Sequence, residues 1–249
     1  MKVNHFSVED VLALDPIWSA YALADLEPEH QEFCSWSIRG SSLLLIYRGL
    51  EPPVLFMQGD AGELSDLLED IPAGTYQFSC RPEHVGLVNA LLQPHSIDVM
   101  WRMNYAGSRS FSGQLDHQIH RMDEAHLGEI QRLFGNHSDA PDAFAPIQLQ
   151  TGIFYGVYDQ DDLIAISGTH VRSLRFRLAA IGNVFTHPAY RGNGLASATT
   201  GSVVIDLLAE GIKTIVLNVS QSNNPAVKAY ERIGFRPHCE YFEGYGKRF

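Results

Sequence analysis

Apolar residues along the chain alternate between period two and the helical period, with short breaks of Gly, Pro, Asp and Asn between segments. Ser7 followed by Glu9 and Asp10 reads as a helix start, and a second helical stretch covers residues 15–25 with Pro16 near its beginning. Residues 42–48 (SLLLIYR) and 53–57 (PVLFM), separated by Gly-Leu-Glu-Pro, predict a β-hairpin. A short helix over 61–68, a strand over 75–80, a helix over 82–92 and a strand over 97–105 follow. The order ββαβαβ favours an α/β domain with a mixed sheet.

Around residues 107–113 (GSRSFSG) the composition turns to Gly and Ser, which marks the best linker candidate, and after it the pattern restarts. Residues 119–122 read as a strand. Asp123 caps a helix in which Leu127, Ile130 and Leu133/Phe134 share one face. A Pro/Asp/Ala-rich loop with a short helix spans 136–146. Strands over 154–159 and 163–172 form a hairpin through Gln160-Asp161-Asp162, and a third strand covers 176–186. A helix over 194–210, with Leu195, Val203/Val204 and Leu207/Leu208 on one side, leads to a strand over 214–220 and a helix over 225–233. Gly234-Phe235 opens a last strand or pair of strands. The first half echoes the order of the second in shortened form.

Composition narrows the function classes. Hydrophobic residues make up 45% of 249 and charged residues 19%, the profile of a globular protein. No run of about 18 apolar residues occurs, so no membrane span is expected. The first residues carry acids too early for a signal peptide, so a cytoplasmic location is the expectation. Cys34, Cys80 and Cys239 are widely spaced and form no CxxC, which disfavours a disulfide framework or zinc site. His117 and His120 form an HxxH, but on a strand that spacing points them to opposite faces, so no metal is expected. A net charge of −11 without a basic cluster argues against nucleic acid as a partner.

The chemistry concentrates in 184–196, VFTHPAYRGNGLA, where a β-rich run passes into an amphipathic helix through a turn with two glycines. Such a turn is an anion site: glycines let the backbone approach closely, and the first-turn N–H groups point at the guest. Arg191 adds a fork-shaped cation suited to phosphate. A dinucleotide turn would need a third glycine and an acidic residue at the end of the next strand. Here Ser197 stands at the glycine position and the strand ends in Asn218-Val219-Ser220.

Arg191-Gly192-Asn193-Gly194-Leu195-Ala196 resembles the R/Q-x-x-G-x-G/A signature of the GNAT superfamily of acyl-CoA N-acyltransferases, and Thr186 and Pro188 precede it as there. Downstream, Asn218 on the next strand, then Asn223, Ala226, Tyr230 and Gly234-Phe235, look like the superfamily's second motif, N-x-x-A-x-x-x-Y-x-x-x-G-F. Order and spacing agree from Gly152 to Phe235. The match is most similar to two-domain groups with a diverged GNAT-like first half, the glycine N-acyltransferase-like and FR-type groups. The resemblance implies an α/β (α+β mixed-sheet) GNAT fold in two tandem halves, 1–112 diverged and 113–249 catalytic.

By the same resemblance, acetyl-CoA is the co-substrate and a primary amine, on a small molecule or a peptide, attacks it directly. Backbone N–H groups from Arg191 to Ala196 would hold the pyrophosphate. The strand Asn183–Phe185 would face the acetyl group, with the Val184 N–H polarising the carbonyl, and Thr186 would join Val184 and Phe185 in binding the cofactor. Tyr230 would protonate the departing thiolate, since a phenol of pKa about 10 can donate to it and regain its proton from water; a core tyrosine is the plainer reading. Asn223 would contact the cofactor or simply cap its helix. The base is not specified: His170 is the side chain poised nearest neutral pH, and Asn183 and Ser220 could hold water. A non-catalytic acyl-CoA-binding regulatory module is the alternative, and monomer and homodimer are both compatible with the sequence.

Overall fold

The computed structural model describes residues 6–107, 118–135, 137–141 and 143–249. Its elements run α1 (Val8–Leu12), α2 (Ala20–Ala24), β1 (Cys34–Arg39), β2 (Ser42–Tyr47), β3 (Val54–Gln58), α3 (Ala61–Glu69), β4 (Gly74–Cys80), α4 (Val85–Leu91) and β5 (Pro94–Tyr105). They continue with β6 (Ile119–Met122), α5 (Leu127–Gly135), α6 (Gln148–Thr151), β7 (Phe154–Asp159), β8 (Asp162–Ser173), β9 (Leu178–Thr186), α7 (Leu195–Ala209), β10 (Thr214–Ser220), α8 (Asn224–Ile233) and β11 (Phe235–Arg248). The chain is thus a mixed α/β protein. The linker candidate, apart from Gly107, the 112/113 boundary and His117 lie outside the described residues.

Two compact units emerge. Unit 1 holds the chain up to Arg102 together with Val219–Ser222 and Pro237–Phe249; unit 2 holds Met103–Asn218 and Asn223–Arg236. In unit 1 the strand order is β1-β2-β3-β4-β11-β5. The hairpin of β2 and β3 forms as the alternation indicates, with Leu43 opposite Gln58 and Tyr47 opposite Val54. After the α3 crossover β4 lies parallel to β3, and the C-terminal strand pairs antiparallel with β4 from Phe242↔Cys80 to Arg248↔Gly74. The edge strand β1 escaped the sequence reading although CSWSIR alternates apolar Cys34, Trp36 and Ile38 with polar Ser35, Ser37 and Arg39; it buries little and pairs antiparallel with β2. Leu44, Leu55, Met57, Leu64, Leu68 and Phe78 centre the core of this unit.

Unit 2 orders its strands β10-β9-β8-β7-β6. The neighbours from β6 to β9 are antiparallel, and β9 and β10 are parallel across the α7 crossover. Helix α5 buries Ile130 and Leu133 against Phe154, Ile166 and Phe185. Helix α7 buries a wide stripe, Thr199, Thr200 and Gly201 included. Leu208, grouped by the heptad-like pattern with the inward side, instead stands 46% exposed, as does Ile205 at 61%. Because the buried stripe is wide and holds small residues, apolarity marks its direction poorly. The segment after α8 forms one strand of 14 residues. Among the described residues no helix is long and apolar enough to cross a membrane.

Candidate functional site

The site begins with an irregularity in β9. Ile166 faces Phe185 and Gly168 faces Gly182, so two steps on β8 match three on β9. The extra residue is accommodated by Asn183, which has φ 52. Asparagine tolerates this left-handed conformation better than most residues, and a bulge of this kind bends the strand. A second shift lies between Thr169↔Ile181 and Val171↔Ala180, where His170 is the extra residue on β8. Beside these bulges the parallel pairing of β9 with β10 ends at Leu217↔Ile181. Beyond it β9 runs on through Gly182–Thr186, away from the ladder.

Buried polar atoms collect along this divergence. Asn183 is 5% exposed, and its Nδ2 donates to Oε1 of Gln148 at 3.0 Å. Its Oδ1, the Oγ1 of Thr186 and the Oδ1 of Asn218 have no hydrogen-bond partner among the described residues. Three unpaired polar atoms on two diverging strands are costly in an apolar interior, and such atoms signal a ligand or solvent that the strands receive. Gln148, on α6, also donates from Nε2 to the carbonyl of His170 at 3.2 Å and accepts from the Ala145 N–H at 3.1 Å. It thereby ties together two sequence-predicted site residues, Asn183 and His170. Sequence reasoning missed Gln148, because only contacts between residues remote in sequence reveal it.

Past Thr186 the chain makes a short 3-10 turn (Pro188–Tyr190) and enters the glycine turn. Gly192 has φ 85 and Gly194 φ 79, and no atom lies within 4 Å of where a side chain would begin at either. Only glycine adopts these angles without strain. Gly194 is the N-cap of the 15-residue α7, makes no side-chain cap bond, and is followed by no acidic residue in the first turn. The N–H groups of that turn therefore remain available to an anion, and the helix dipole favours one. In unit 1 the corresponding crossover helix α3 is closed by its own cap: Asp60 accepts from the N–H groups of Gly62 and Glu63. A carboxylate already fills that helix start.

Helix α7 is held in place by buried hydroxyls. Ser167 on β8 lies 2.7 Å from the Thr199 hydroxyl and 2.9 Å from that of Thr200, and Thr199 donates to the Leu195 carbonyl. The guanidinium of Arg191 has its own protein partners. Its Nε donates to the Thr186 carbonyl at 3.0 Å, its Nη2 pairs with Asp139 at 2.7 Å, and its carbon sits 5.5 Å over the Phe185 ring. The bond from Arg191 holds the Asp139 carboxyl below its ordinary range. Asn193 donates to the Tyr190 carbonyl. Phe185 itself is buried and meets Phe134 and His137.

Helix α8 docks on α7 through a bond from Ser197 to the Ala229 carbonyl at 3.4 Å. Its N-cap is Asn223, whose Oδ1 accepts from the Ala226 N–H at 3.2 Å, so the Asn223 side chain is engaged in capping. Pro225 sits in the first turn, and Gly234, with φ 114, ends the helix in the left-handed position that Gly suits. Tyr230 is 8% exposed and lies 6.1 Å, centroid to centroid, from Phe235. Among the described residues no group of three or more His, Cys, Asp and Glu could hold a metal.

Residues 122–235 match the model of the acetyltransferase (GNAT) family. Among curated proteins, the chain is 32% identical over 77 residues to a [ribosomal protein bS18]-alanine N-acetyltransferase of Haemophilus ducreyi, 31% of this chain and 51% of that one. It is 40% identical over 53 residues to a mycothiol acetyltransferase of Corynebacterium aurimucosum, 20% of this chain and 17% of that one. The chain thus spans about half or less of the length of these relatives. Among solved structures, a putative GNAT acetyltransferase from Novosphingobium aromaticivorans shares the fold with a TM-score of 0.63 at 23% identity, covering 94% of this chain and 97% of that one. A GCN5-related N-acetyltransferase from Kribbella flavida does so at 0.66 and 13% identity, over 93% and 95%. The glycine turn and the parallel strands β9 and β10 thus fall inside the stretch, residues 122–235, that is similar to the acetyltransferase (GNAT) family, and the solved structures share the fold.

Proposed function

We propose that the chain is an N-acetyltransferase that moves an acetyl group from acetyl-CoA to a primary amine by direct attack. The observation that carries this reading is the uncapped start of α7 behind Gly192 and Gly194, beside the diverging β9 and β10 with their unpaired Asn183, Thr186 and Asn218. The donor set fits acyl-CoA: main-chain N–H groups for a diphosphate, and polar strand atoms for the amide-rich arm. Acetyl-CoA supplies an activated thioester. The N–H groups from Arg191 to Ala196 would hold its phosphates, and the Val184 N–H would polarise the acyl carbonyl. Phe185 would wall the site, Leu195 would anchor the turn, and Asn218 would meet the arm.

As the amine nitrogen bonds to the acyl carbon and the carbon–sulfur bond breaks, the amine must lose a proton and the sulfur must gain one. Tyr230 would donate from its hydroxyl to the sulfur. His170, or water held by Asn183, would accept the proton from nitrogen. Asn223 and Ala226 would act through the capped helix α8 that carries Tyr230. The names of two relatives, a ribosomal protein alanine N-acetyltransferase and a mycothiol acetyltransferase, support an acceptor that is a small-molecule or peptide amine. The tandem division, 1–112 as a diverged GNAT-like half and 113–249 as the catalytic half, belongs to the same proposal. It is supported by the shared order of a meander, a crossover helix, a parallel strand and a helix in each unit.

The test is an amine screen with acetyl-CoA that follows free thiol, paired with Tyr230→Phe. Acetyl-CoA turnover on at least one amine, with CoA binding intact and turnover cut more than tenfold in the variant, is the expected result. CoA binding without turnover on any amine would leave the chain a non-catalytic acyl-CoA-binding regulatory module.

A further inference from the structure

Unit 1 contains an arginine that its own packing does not explain. Arg102, on β5, is 2% exposed. Its guanidinium carbon lies 4.7 Å from the Tyr21 ring, 5.3 Å from Tyr241 and 5.5 Å from Trp18. Its Nε and Nη1 have no hydrogen-bond partner among the described residues. Arg81 approaches the same Trp18 ring at 5.3 Å, and its Nε is likewise buried without a partner. The Cys239 thiol is pushed up by burial, and both guanidinium groups draw it down.

The nearby carboxylates already have donors of their own. Asp15 takes Nη2 of Arg81, Nε2 of His238 at 3.0 Å and the Trp18 N–H at 3.0 Å. Glu243 accepts from the Tyr241 hydroxyl at 3.0 Å. An arginine cannot shed its proton, and aromatic faces satisfy none of its N–H groups. A buried charge whose donors lack acceptors is among the costlier features a fold can carry. Cation–π attraction to the rings offsets part of that cost, and the unpaired N–H groups are left as donors for an anion or water.

We propose that Arg102 and Arg81, walled by Trp18, Tyr21 and Tyr241, form a binding site for a small carboxylate. The N–H groups of the three unpaired nitrogens match the acceptor capacity of one carboxylate. Asp15 and Glu243 already offset much of the positive charge, so a singly charged, planar group suits the site and a doubly charged tetrahedral phosphate does not. The Arg81 side chain is 27% exposed and marks the side open to solvent. This site lies within unit 1 and is independent of the acyl-CoA reading.

The experiment uses the full chain, with acetate, propionate and succinate as probes and phosphate and chloride at matched ionic strength as comparisons. Calorimetry should show saturable carboxylate binding that raises Tm and weakens at least tenfold in Arg102→Lys and Arg81→Lys. Without ligand, Arg102→Met should raise Tm, because an apolar side chain removes the unpaired charge. Should Arg102→Lys fail to fold, Arg81→Lys decides alone. No saturable carboxylate binding, binding unchanged in the folded variants, or tighter binding of phosphate would overturn the proposal. A lower Tm in Arg102→Met combined with no carboxylate response would assign Arg102 to packing alone.

Discussion

The Asn183 amide donates to the Gln148 side chain at 3.0 Å across 35 residues of chain, and this bond sets the direction of a buried left-handed residue beside the diverging strands. With Nδ2 held, the unpaired Oδ1 keeps one orientation. The same Gln148 holds the His170 carbonyl, so one side chain positions both residues proposed to handle the amine proton.

Gln148→Ala should therefore lower kcat for thiol release about tenfold, the equivalent of one lost buried hydrogen bond of about 1.4 kcal/mol. CoA affinity measured by calorimetry should stay within about twofold. An unchanged kcat would remove Gln148 from the positioning role.

Gly194→Ala places a side chain at φ 79, which costs about 1–2 kcal/mol in a residue that is not glycine. It also puts a methyl group over the open helix start. A loss of CoA affinity of at least about tenfold is expected, with a small drop in Tm. Equal CoA affinity in the variant would mean that the phosphates bind elsewhere.

Asp139 competes with any phosphate for the Arg191 fork. Asp139→Asn should tighten CoA binding a few-fold at low salt, and the gain should shrink as ionic strength rises, because the groups are exposed. If the variant binds CoA more weakly at every salt concentration, Asp139 orders the turn instead of opposing the ligand.

Burial pushes the Asp25 carboxyl up to about 7 from an ordinary 3.8. Between those values the folded chain binds more protons than the unfolded chain, so this group's contribution to stability falls as pH rises and is lost above 7. Asp25→Asn keeps the neutral form at every pH. It should raise Tm by about 10 °C at pH 8 and by little at pH 4.5. A pH-independent difference between variant and wild type in thermal melts would contradict this account.

Much of the fold was legible because it is written in short-range pattern. The hairpins of β2 with β3 and β7 with β8 and the helix caps Ser7, Asp123 and Asn223 each depend on residues a few positions apart. The edge strand β1 was legible in the alternation of CSWSIR but went unread, because the run is short and buries little. Leu208 was misplaced because the buried stripe of α7 is wide and includes small and hydroxyl residues, so apolarity marks its edge poorly.

The sequence by itself determined the glycine turn. Gly192 and Gly194 force the backbone angles, and no side chain before α7 can cap it, whereas Asp60 closes α3 from within its own turn. Tertiary structure alone decided what surrounds that turn. The bulge at Asn183 appears only against β8, the end of pairing at Leu217↔Ile181 only against β10, and the grip of Gln148 only once α6 has folded back. Local spacing fixes caps and turns because their partners are covalently near. The bonds that orient a site join residues the chain brings together only when the core excludes water, and no local pattern records them.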